Sequence, residues 1–347
     1  MIPLTAATVD RLLAVLVVAM AATGLATLRA GTPSGAWLFV VHGLIAGALA
    51  LALAIKLGQS VPRAAGARRW GRLALGLFVA IVAIAALSGG FVWVAGGELL
   101  SIRGWTVLTL HAWAGLVLVP LVLVHLLPRR WRLLQPRRRR PHSGSGSESP
   151  SPSPGHVSRR TILAGAALGA AGIGAWTAAG ILDRLRGGER RFTGSRALPA
   201  GGVPPPTTFF GEPAPPLDVA DWRLTVHGRV GRALSLDRDR LRALGTATRL
   251  ATLDCTSGWV METDWTGTPL STILDETGIA RDARSVTVRS ATGWSAVLPL
   301  AEARGCLLAT HVAGEPLPVH NGYPCRLVVP GRRGLDWVKW VVEIEVA

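Results

Sequence analysis

The apolar residues of the first 130 positions fall into four continuous runs separated by short polar turns. The runs cover about residues 10–30, 37–57, 72–95 and 105–127. Each has the length of about 20 apolar residues that a helix needs to cross the hydrocarbon core of a bilayer. The pattern therefore predicts an all-α transmembrane four-helix bundle over residues 1–130.

The polar stretches around these runs indicate which side of the membrane they face. The loop 57–72 and the stretch 129–141 are rich in arginine, whereas the turns near 31–36 and 97–104 carry almost no positive charge. Because cytoplasmic flanks are enriched in basic residues, we place the two arginine-rich stretches in the cytoplasm. The formal net charge of +16 then reflects membrane flanks, and no nucleic-acid partner is expected.

Three histidines lie within the apolar runs. His42 and His111 stand near the outer ends of the second and fourth runs, at similar predicted depth. Two neutral imidazoles facing each other across a bundle suit bis-histidine ligation of a b-type haem, although an interhelical hydrogen-bonding role stays open. His125 lies roughly 21 Å deeper than His111, a spacing that fits a second haem, but the position for its partner holds Lys56. The arrangement resembles small four-helix b-type cytochromes of the b561 kind.

A polar segment and a second kind of signal follow the bundle. Residues 131–157 are rich in Pro, Ser, Gly and Arg, which predicts a disordered cytoplasmic linker. Ser158-Arg159-Arg160-Thr161-Ile162-Leu163 then opens a weakly apolar stretch that ends near residue 182. This pattern predicts a twin-arginine signal, which exports folded domains, with an uncleaved anchor helix over 158–185. A simple topology signal is the alternative. We expect a multi-pass cell-membrane protein with an extracytoplasmic C-terminal domain.

Residues 205–347 alternate short β-like runs with brief helical ones, which predicts an α+β domain. Strands are expected over 222–228, 249–254, 284–289, 325–329 and 338–346. Helices are expected over 237–244 and 269–277, the second after a turn at Trp265-Thr266-Gly267. Three cysteines make no disulfide framework, and we read Cys306 and Cys325 as core residues.

Four short motifs in this domain carry its chemistry. They are Leu253-Asp254-Cys255-Thr256-Ser257-Gly258-Trp259, Gly314-Glu315-Pro316-Leu317-Pro318, the stretch from Asn321 to Gly331, and Trp337-Val338-Lys339-Trp340. A soft thiolate at the end of a strand can bind a metal, and a buried structural cysteine is the other interpretation. In this order, the motifs resemble the molybdopterin domain of the sulfite oxidase family, which includes periplasmic methionine-sulfoxide reductases.

The resemblance implies a molybdenum centre on one pyranopterin dithiolene. Cys255 matches the molybdenum ligand, while Arg326 and Lys339 match basic residues that hold the pterin and its phosphate. Asn321 stands where relatives often carry histidine, and Trp294 corresponds to the active-site tyrosine. Thr256, Ser257 and Trp294 are expected to line the substrate pocket.

One departure bears on the substrate. Sulfite oxidases carry an arginine-rich stretch after an early Phe-Phe, but here Phe209-Phe210 is followed by Gly211-Glu212. A basic contact for an anion is therefore missing, which argues against sulfite oxidation.

We therefore expect a membrane-anchored molybdenum oxidoreductase that transfers an oxygen atom on a small substrate such as an S-oxide or N-oxide. Electrons would be exchanged with membrane quinone or quinol through the haem at His42 and His111. Two alternatives stay open: a molybdopterin-binding protein with a sensing, non-catalytic role, and an enzyme whose helices only anchor it.

Overall fold

The computed structural model describes residues 6–66, 70–95, 101–102, 105–134, 159–185, 189–207 and 211–347. The chain forms two compact units, each drawn from separate stretches of sequence. Unit 1 comprises Met1–Thr23, Val40–Ala95 and His111–Leu182, and unit 2 comprises Gly24–Phe39, Gly96–Leu110 and Asp183–Ala347. Residues 135–157 of the predicted linker, Ser158 and Phe209-Phe210 lie outside the described residues.

Five long helices account for most of unit 1. They are α1 (Ala6–Thr27), α2 (Ala36–Gly66), α3 (Trp70–Val94), α4 (Val107–Leu134) and α5 (Arg159–Leu185). The first four lie over the four apolar runs of the sequence, and α4 continues into the predicted linker as far as Leu134. Within the described part of the chain, Val9–Thr27, Pro33–Pro62, Leu73–Val94 and Val107–His125 are long and apolar enough to cross a membrane. The role of α5 as a signal or anchor stays a prediction.

Small residues and one apolar cluster hold these helices together. Val17, Leu49, Ala83 and Leu118, one from each of α1 to α4, form the buried centre of that cluster. Helices α2 and α5 meet at glycines, because a Cβ on Gly47 would lie 2.1 Å from the Cα of Gly172. Such close backbone approach is typical of small residues between membrane helices.

The described residues of unit 2 include thirteen short strands and three short α-helices. In chain order the strands are β1 (Ser101–Ile102), β2 (Trp105–Thr106), β3 (Arg196–Ala197), β4 (Leu224–Gly228), β5 (Leu234–Leu236), β6 (Ala247–Asp254), β7 (Trp259–Pro269), β8 (Ser285–Ser290), β9 (Ser295–Pro299), β10 (Leu307–Val312), β11 (Glu315–Pro316), β12 (Arg326–Val328) and β13 (Val341–Val346). The helices are α6 (Arg238–Ala243), α7 (Leu270–Thr277) and α8 (Leu300–Ala303).

Two sheets carry the core of unit 2. One runs β11-β10-β7-β3, with β12 paired to β10 and β6 to β7, and the other runs β5-β4-β13-β8-β9. Strand β8 shows the expected alternation, since Val286 and Val288 are buried between half-buried neighbours. Buried residues of both sheets belong to one apolar cluster that includes Trp259, Trp265 and Trp337. The unit is thus an α+β domain.

Two local predictions were wrong for physical reasons. Trp265-Thr266-Gly267 is no turn but the middle of β7, and Gly267 is needed because a Cβ there would lie 2.0 Å from the carbonyl oxygen of Leu308 on β10. The last strand begins at Val341 and not at Val338, because Trp340 adopts φ +50 and interrupts the extended backbone.

Candidate functional site

The loop between β6 and β7 presents the Cys255 thiol. The backbone N–H of Cys255 donates to the Trp259 carbonyl at 2.8 Å, and the Gly258 N–H donates to the Cys255 carbonyl at 2.9 Å. Gly258 has φ +102, which favours glycine at this tight turn. The Sγ atom lies 3.5 Å from the backbone N of Ser257 and 3.5 Å from the Thr207 hydroxyl.

One pocket brings together the C-terminal site residues that the sequence predicts. Cys255, Thr256, Trp294, Asn321, Arg326 and Lys339 all line it. The other lining residues are Pro204, Pro205, Thr207, Glu212, Leu253, Trp259, Ser290, Gly334, Leu335 and Trp337. Ser257 does not line this pocket: it is buried, and its carbonyl accepts a hydrogen bond from the Thr106 hydroxyl at 2.9 Å.

Arg326 is a buried cation with no acidic partner among the described residues. Its guanidinium donates to the carbonyls of Asn321 at 3.0 Å and Trp337 at 3.4 Å. It also stacks on the rings of Trp265 and Trp337, with 5.2 Å and 5.8 Å to the centroids. Burial lowers the pKa of Arg326 to about 10, against a smaller raising effect of Cys255. The Arg326 guanidinium therefore keeps a positive charge that no carboxylate of the described residues pairs with, in a place with little access to water.

Lys339 adds a second cation beside it. Its Nζ donates to the carbonyls of His320 at 2.7 Å and Thr207 at 3.2 Å, and it lies 5.4 Å from the Trp340 ring centroid. Burial lowers the pKa of Lys339 to about 8, and the neighbouring Arg326 charge contributes. Two adjacent, partly desolvated cations favour an anionic ligand.

Backbone features keep the two cations adjacent. Gly322 has φ +113, and a Cβ there would lie 3.0 Å from the Cβ of Arg326 and 3.1 Å from the Cα of Lys339. Trp340, directly after Lys339, holds φ +50 and donates from Nε1 to the Val319 carbonyl at 2.8 Å. A left-handed tryptophan is costly, which is typical of functional sites.

The remaining predicted residues have defined environments. The Asn321 side-chain amide donates to the Pro204 carbonyl at 2.9 Å, and the Trp294 indole donates to the Leu335 carbonyl at 3.0 Å. With its N–H engaged, Trp294 offers the pocket an apolar wall. Cys306 and Cys325 are buried, and burial raises the pKa of both thiols, that of Cys306 to about 12.

Sequence reasoning missed the contribution of the proline-rich stretch before the domain. Thr207 accepts a hydrogen bond from the Trp259 indole at 2.8 Å, and its carbonyl accepts from Lys339. No motif marks this stretch, and only its position next to the domain boundary could have drawn attention to it.

In unit 1, His42 and His111 face each other. Their ring centroids are 6.1 Å apart, with the ring planes at 90°. The His111 Nδ1 lies 2.7 Å from the Ala86 carbonyl, and the His42 Nδ1 lies 2.8 Å from the Thr23 hydroxyl oxygen. The Thr23 hydroxyl also lies 2.7 Å from the Ala19 carbonyl, to which it donates. Both Nδ1 atoms are therefore placed to donate, which leaves the two Nε2 atoms for another ligand.

A centroid separation of 6.1 Å is ordinary for edge-to-face rings, and it would also leave space for a metal between two imidazole nitrogens. A hydrogen bond from the second ring nitrogen is the usual support of a ligating histidine. Gly90 gives His111 room, because a Cβ there would lie 3.0 Å from the His111 Cε1.

The position predicted for a histidine partner of His125 holds Lys56. His125 of α4 lies near α3, where a Cβ on Gly76 would be 3.7 Å from its Cε1. Lys56 forms an ion pair with Asp10 of α1.

Comparison with known proteins agrees with the pocket in unit 2. The family model of the oxidoreductase molybdopterin binding domain matches residues 211–347. The catalytic subunit MsrP of protein-methionine-sulfoxide reductase from Xanthomonas axonopodis pv. citri is 31% identical over 151 residues, covering 37% of this chain and 45% of that protein. Mitochondrial sulfite oxidase of Macaca fascicularis is 30% identical over 166 residues, covering 39% of this chain and 30% of that protein.

Part of the chain is also similar to a solved structure. The sulfane dehydrogenase SoxCD of Paracoccus pantotrophus is 28% identical, with a TM-score of 0.37 over 38% of this chain and 40% of that chain. The chain spans less than half the length of the methionine-sulfoxide reductase and sulfite oxidase relatives. The match and the pocket together support a molybdopterin-binding oxidoreductase domain over residues 211–347, similar in sequence to those of MsrP and sulfite oxidase.

Proposed function

We propose that the protein is a membrane-anchored molybdenum oxidoreductase that performs oxygen-atom transfer on a small substrate. The observation that carries this proposal is the convergence of the Cys255 thiol with two buried cations, Arg326 and Lys339, in one pocket; neither cation forms an ion pair with a carboxylate of the described residues. When bound, molybdenum–molybdopterin would supply a metal that gives two electrons as it takes up an oxygen atom, or takes two electrons as it releases one. The described residues fit this group in charge and in donor type.

The chain's own residues have distinct tasks in this proposal. Cys255 holds the metal through its thiolate, which is the soft ligand that the site offers. Arg326 and Lys339 bind the anionic part of the pterin, and the cofactor's charge would offset the desolvation that depresses their pKa values. Trp259, Trp294 and Trp337 line the pocket and restrict water.

The pocket favours a neutral oxide over sulfite. Glu212 is the one acidic residue among the described residues that line the pocket, and its carboxylate raises the pKa of Lys339. When Arg326 and Lys339 both contact the cofactor, they no longer attract an anionic substrate. The Glu212 carboxylate then repels an anion such as sulfite, whereas the aromatic walls accept a neutral S-oxide or N-oxide. Glu212→Gln should therefore lower the KM for sulfite and leave that for a neutral sulfoxide nearly unchanged. Equal effects on both substrates would contradict this assignment.

Electrons would reach the molybdenum domain from quinol by way of a b-type haem ligated by His42 and His111. The ring separation of 6.1 Å and the anchored Nδ1 atoms support this step. A reduced-minus-oxidised spectrum should show a b-type α-band, and His42→Ala and His111→Ala should each abolish it. His125→Ala should preserve the band, since Lys56 occupies the position for its partner. A wild-type protein without the band would leave the helices as an anchor alone.

The topology is part of the same proposal. The C-terminal domain would lie outside the membrane, exported by the signal at Arg159-Arg160. The double change to lysine should leave the domain protected from protease added to intact spheroplasts. Export unaffected by that change would remove the twin-arginine route.

Activity is tested with matched cysteine variants. Cys255→Ala should abolish dye-linked reduction of sulfoxides and N-oxides, whereas Cys325→Ala, a change in the core, should retain it. Stoichiometric molybdenum without turnover on any of these substrates or sulfite would favour a sensing, non-catalytic role.

A further inference from the structure

A fully buried carboxylate stands directly before the thiol loop. Asp254 has 0% exposure and ends β6. Its two oxygens accept from the hydroxyls of Thr193 and Ser195, both at 2.7 Å, and Arg191 Nη1 lies 3.3 Å away. Buried carboxylates are retained when they are paired and fully hydrogen-bonded. None of these donors has a part in the proposed cofactor contacts.

Arg333 supplies the second buried charge. It is 3% exposed, and its Nη2 lies 3.4 Å from Asp254 Oδ1 and 3.4 Å from the Cys255 carbonyl oxygen. The following residue, Gly334, packs under the loop, because a Cβ there would lie 3.3 Å from the Cα of Cys255. The pair therefore touches the backbone that carries the thiol.

Segments outside the matched domain hold this pair in place. Arg333 Nη1 donates to the Thr27 carbonyl at 2.9 Å, and Arg191 Nη2 donates to the Gly31 carbonyl at 3.1 Å. There is no space for a side chain at Gly31, because a Cβ there would lie 2.7 Å from the Gly331 carbonyl oxygen. Thr27 and Gly31 belong to Gly24–Phe39 of unit 2, far from residues 211–347 in sequence.

We propose that Asp254 and Arg333 are positioning residues, a buried charge pair that fixes the Cys255 loop and sets the electrostatic potential at the metal bound there. The proposal rests on the assignment of Cys255 as the metal ligand. Charges in a dry interior act on a nearby centre more strongly than surface charges do. The pair lies on the backbone side of Cys255, so it acts through position and field without touching the substrate.

The sign of the effect follows from charge. Oxidised molybdenum carries more positive charge than reduced molybdenum, so a neighbouring cation favours reduction and a neighbouring anion favours oxidation. Arg333→Met should shift the midpoint potentials of the metal downward, and Asp254→Asn should shift them upward. Arg333→Lys keeps the charge and should stay near the wild-type values.

The experiment is a redox titration of the holoenzyme, followed by the Mo(V) electron paramagnetic resonance signal, with molybdenum content measured in each variant. Arg332→Met is the matched control, because the neighbouring Arg332 pairs with Glu302 and Asp336 instead. It should leave the potentials unchanged. The double variant Asp254→Asn/Arg333→Met removes both charges at once and should lie between the single variants.

Each outcome bears on one of the two proposals. Shifts of the same sign in both single variants, or none in variants that retain molybdenum, would overturn the charge-pair role. The single variants could instead lose molybdenum while the double variant and Arg333→Lys retain it. That result would support the charge-pair role, because it would show that an unbalanced charge disturbs the position of the Cys255 loop. A wild-type protein without molybdenum, or molybdenum retained by Cys255→Ala with an unchanged signal, would instead refute the metal-ligand assignment.

Discussion

The depressed pKa of Lys339 makes the stability of the cofactor-free protein rise with pH in an unusual window. The folded pKa of about 8 lies below the unfolded value of 10.5. Between these values the unfolded chain binds a proton that the folded domain does not, so the free energy of unfolding increases with pH. Below pH 8 the full cost of burying the charge is present, and by pH 10.5 it is relieved.

The size of the effect follows from the two values. At about 1.4 kcal/mol for each pH unit, the gap from 10.5 to about 8 corresponds to roughly 3 kcal/mol. For a unit of this length, one kcal/mol moves the melting temperature by about 2–4 °C. The melting temperature of the wild type, relative to Lys339→Met, should therefore rise by roughly 6–12 °C across the window.

The assay is scanning calorimetry of the full chain in detergent, prepared from cells unable to make molybdopterin. The comparison with Lys339→Met is essential, because the raised pKa of Cys306 has the opposite effect above pH 9. Taking the difference between the two proteins removes that contribution. Parallel curves for wild type and Lys339→Met would show that Lys339 is not desolvated, and the argument for an anion site would fail.

Two further changes test the packing around the site. Gly322→Ala should lower molybdenum retention more than Gly293→Ala, since both have positive φ but only Gly322 would place its Cβ 3.0 Å from Arg326, and metal analysis of both proteins decides this. Gly31→Ala should lower the melting temperature of unit 2 by several degrees, because its Cβ would meet backbone atoms at 2.7–2.9 Å; an unchanged value would show that this segment is not tightly held.

Short motifs that resemble a known family were enough to find three of the pocket residues. Cys255, Arg326 and Lys339 each lie in such a motif, so the resemblance implied their roles without knowledge of the fold. The structure places them in one pocket. The hydropathy of the first 130 residues likewise predicted where the first four helices lie, because a bilayer-length apolar run leaves few alternatives.

Contacts between distant parts of the chain could not be read in this way. The hydrogen bond from Arg333 to Thr27 joins residues 306 positions apart, and neither residue lies in a recognisable pattern. Gly267 was misread for a related reason: glycine marks turns and close approaches alike, and only the partner strand β10 decides between them. Trp340 delays the start of the last strand from the predicted Val338 to Val341, through a backbone conformation that its residue type disfavours.

The discontinuous make-up of unit 2 has a consequence for how the protein comes apart. Gly24–Phe39, Gly96–Leu110 and Asp183–Ala347 form one compact body, although helices that belong largely to unit 1 separate them in sequence. A single proteolytic cut between residues 136 and 157 would leave the hydrogen bonds of Arg333 to Thr27 and of Thr106 to Ser257 unbroken. The nicked protein should therefore migrate as one particle in native electrophoresis and separate into two fragments only in denaturant.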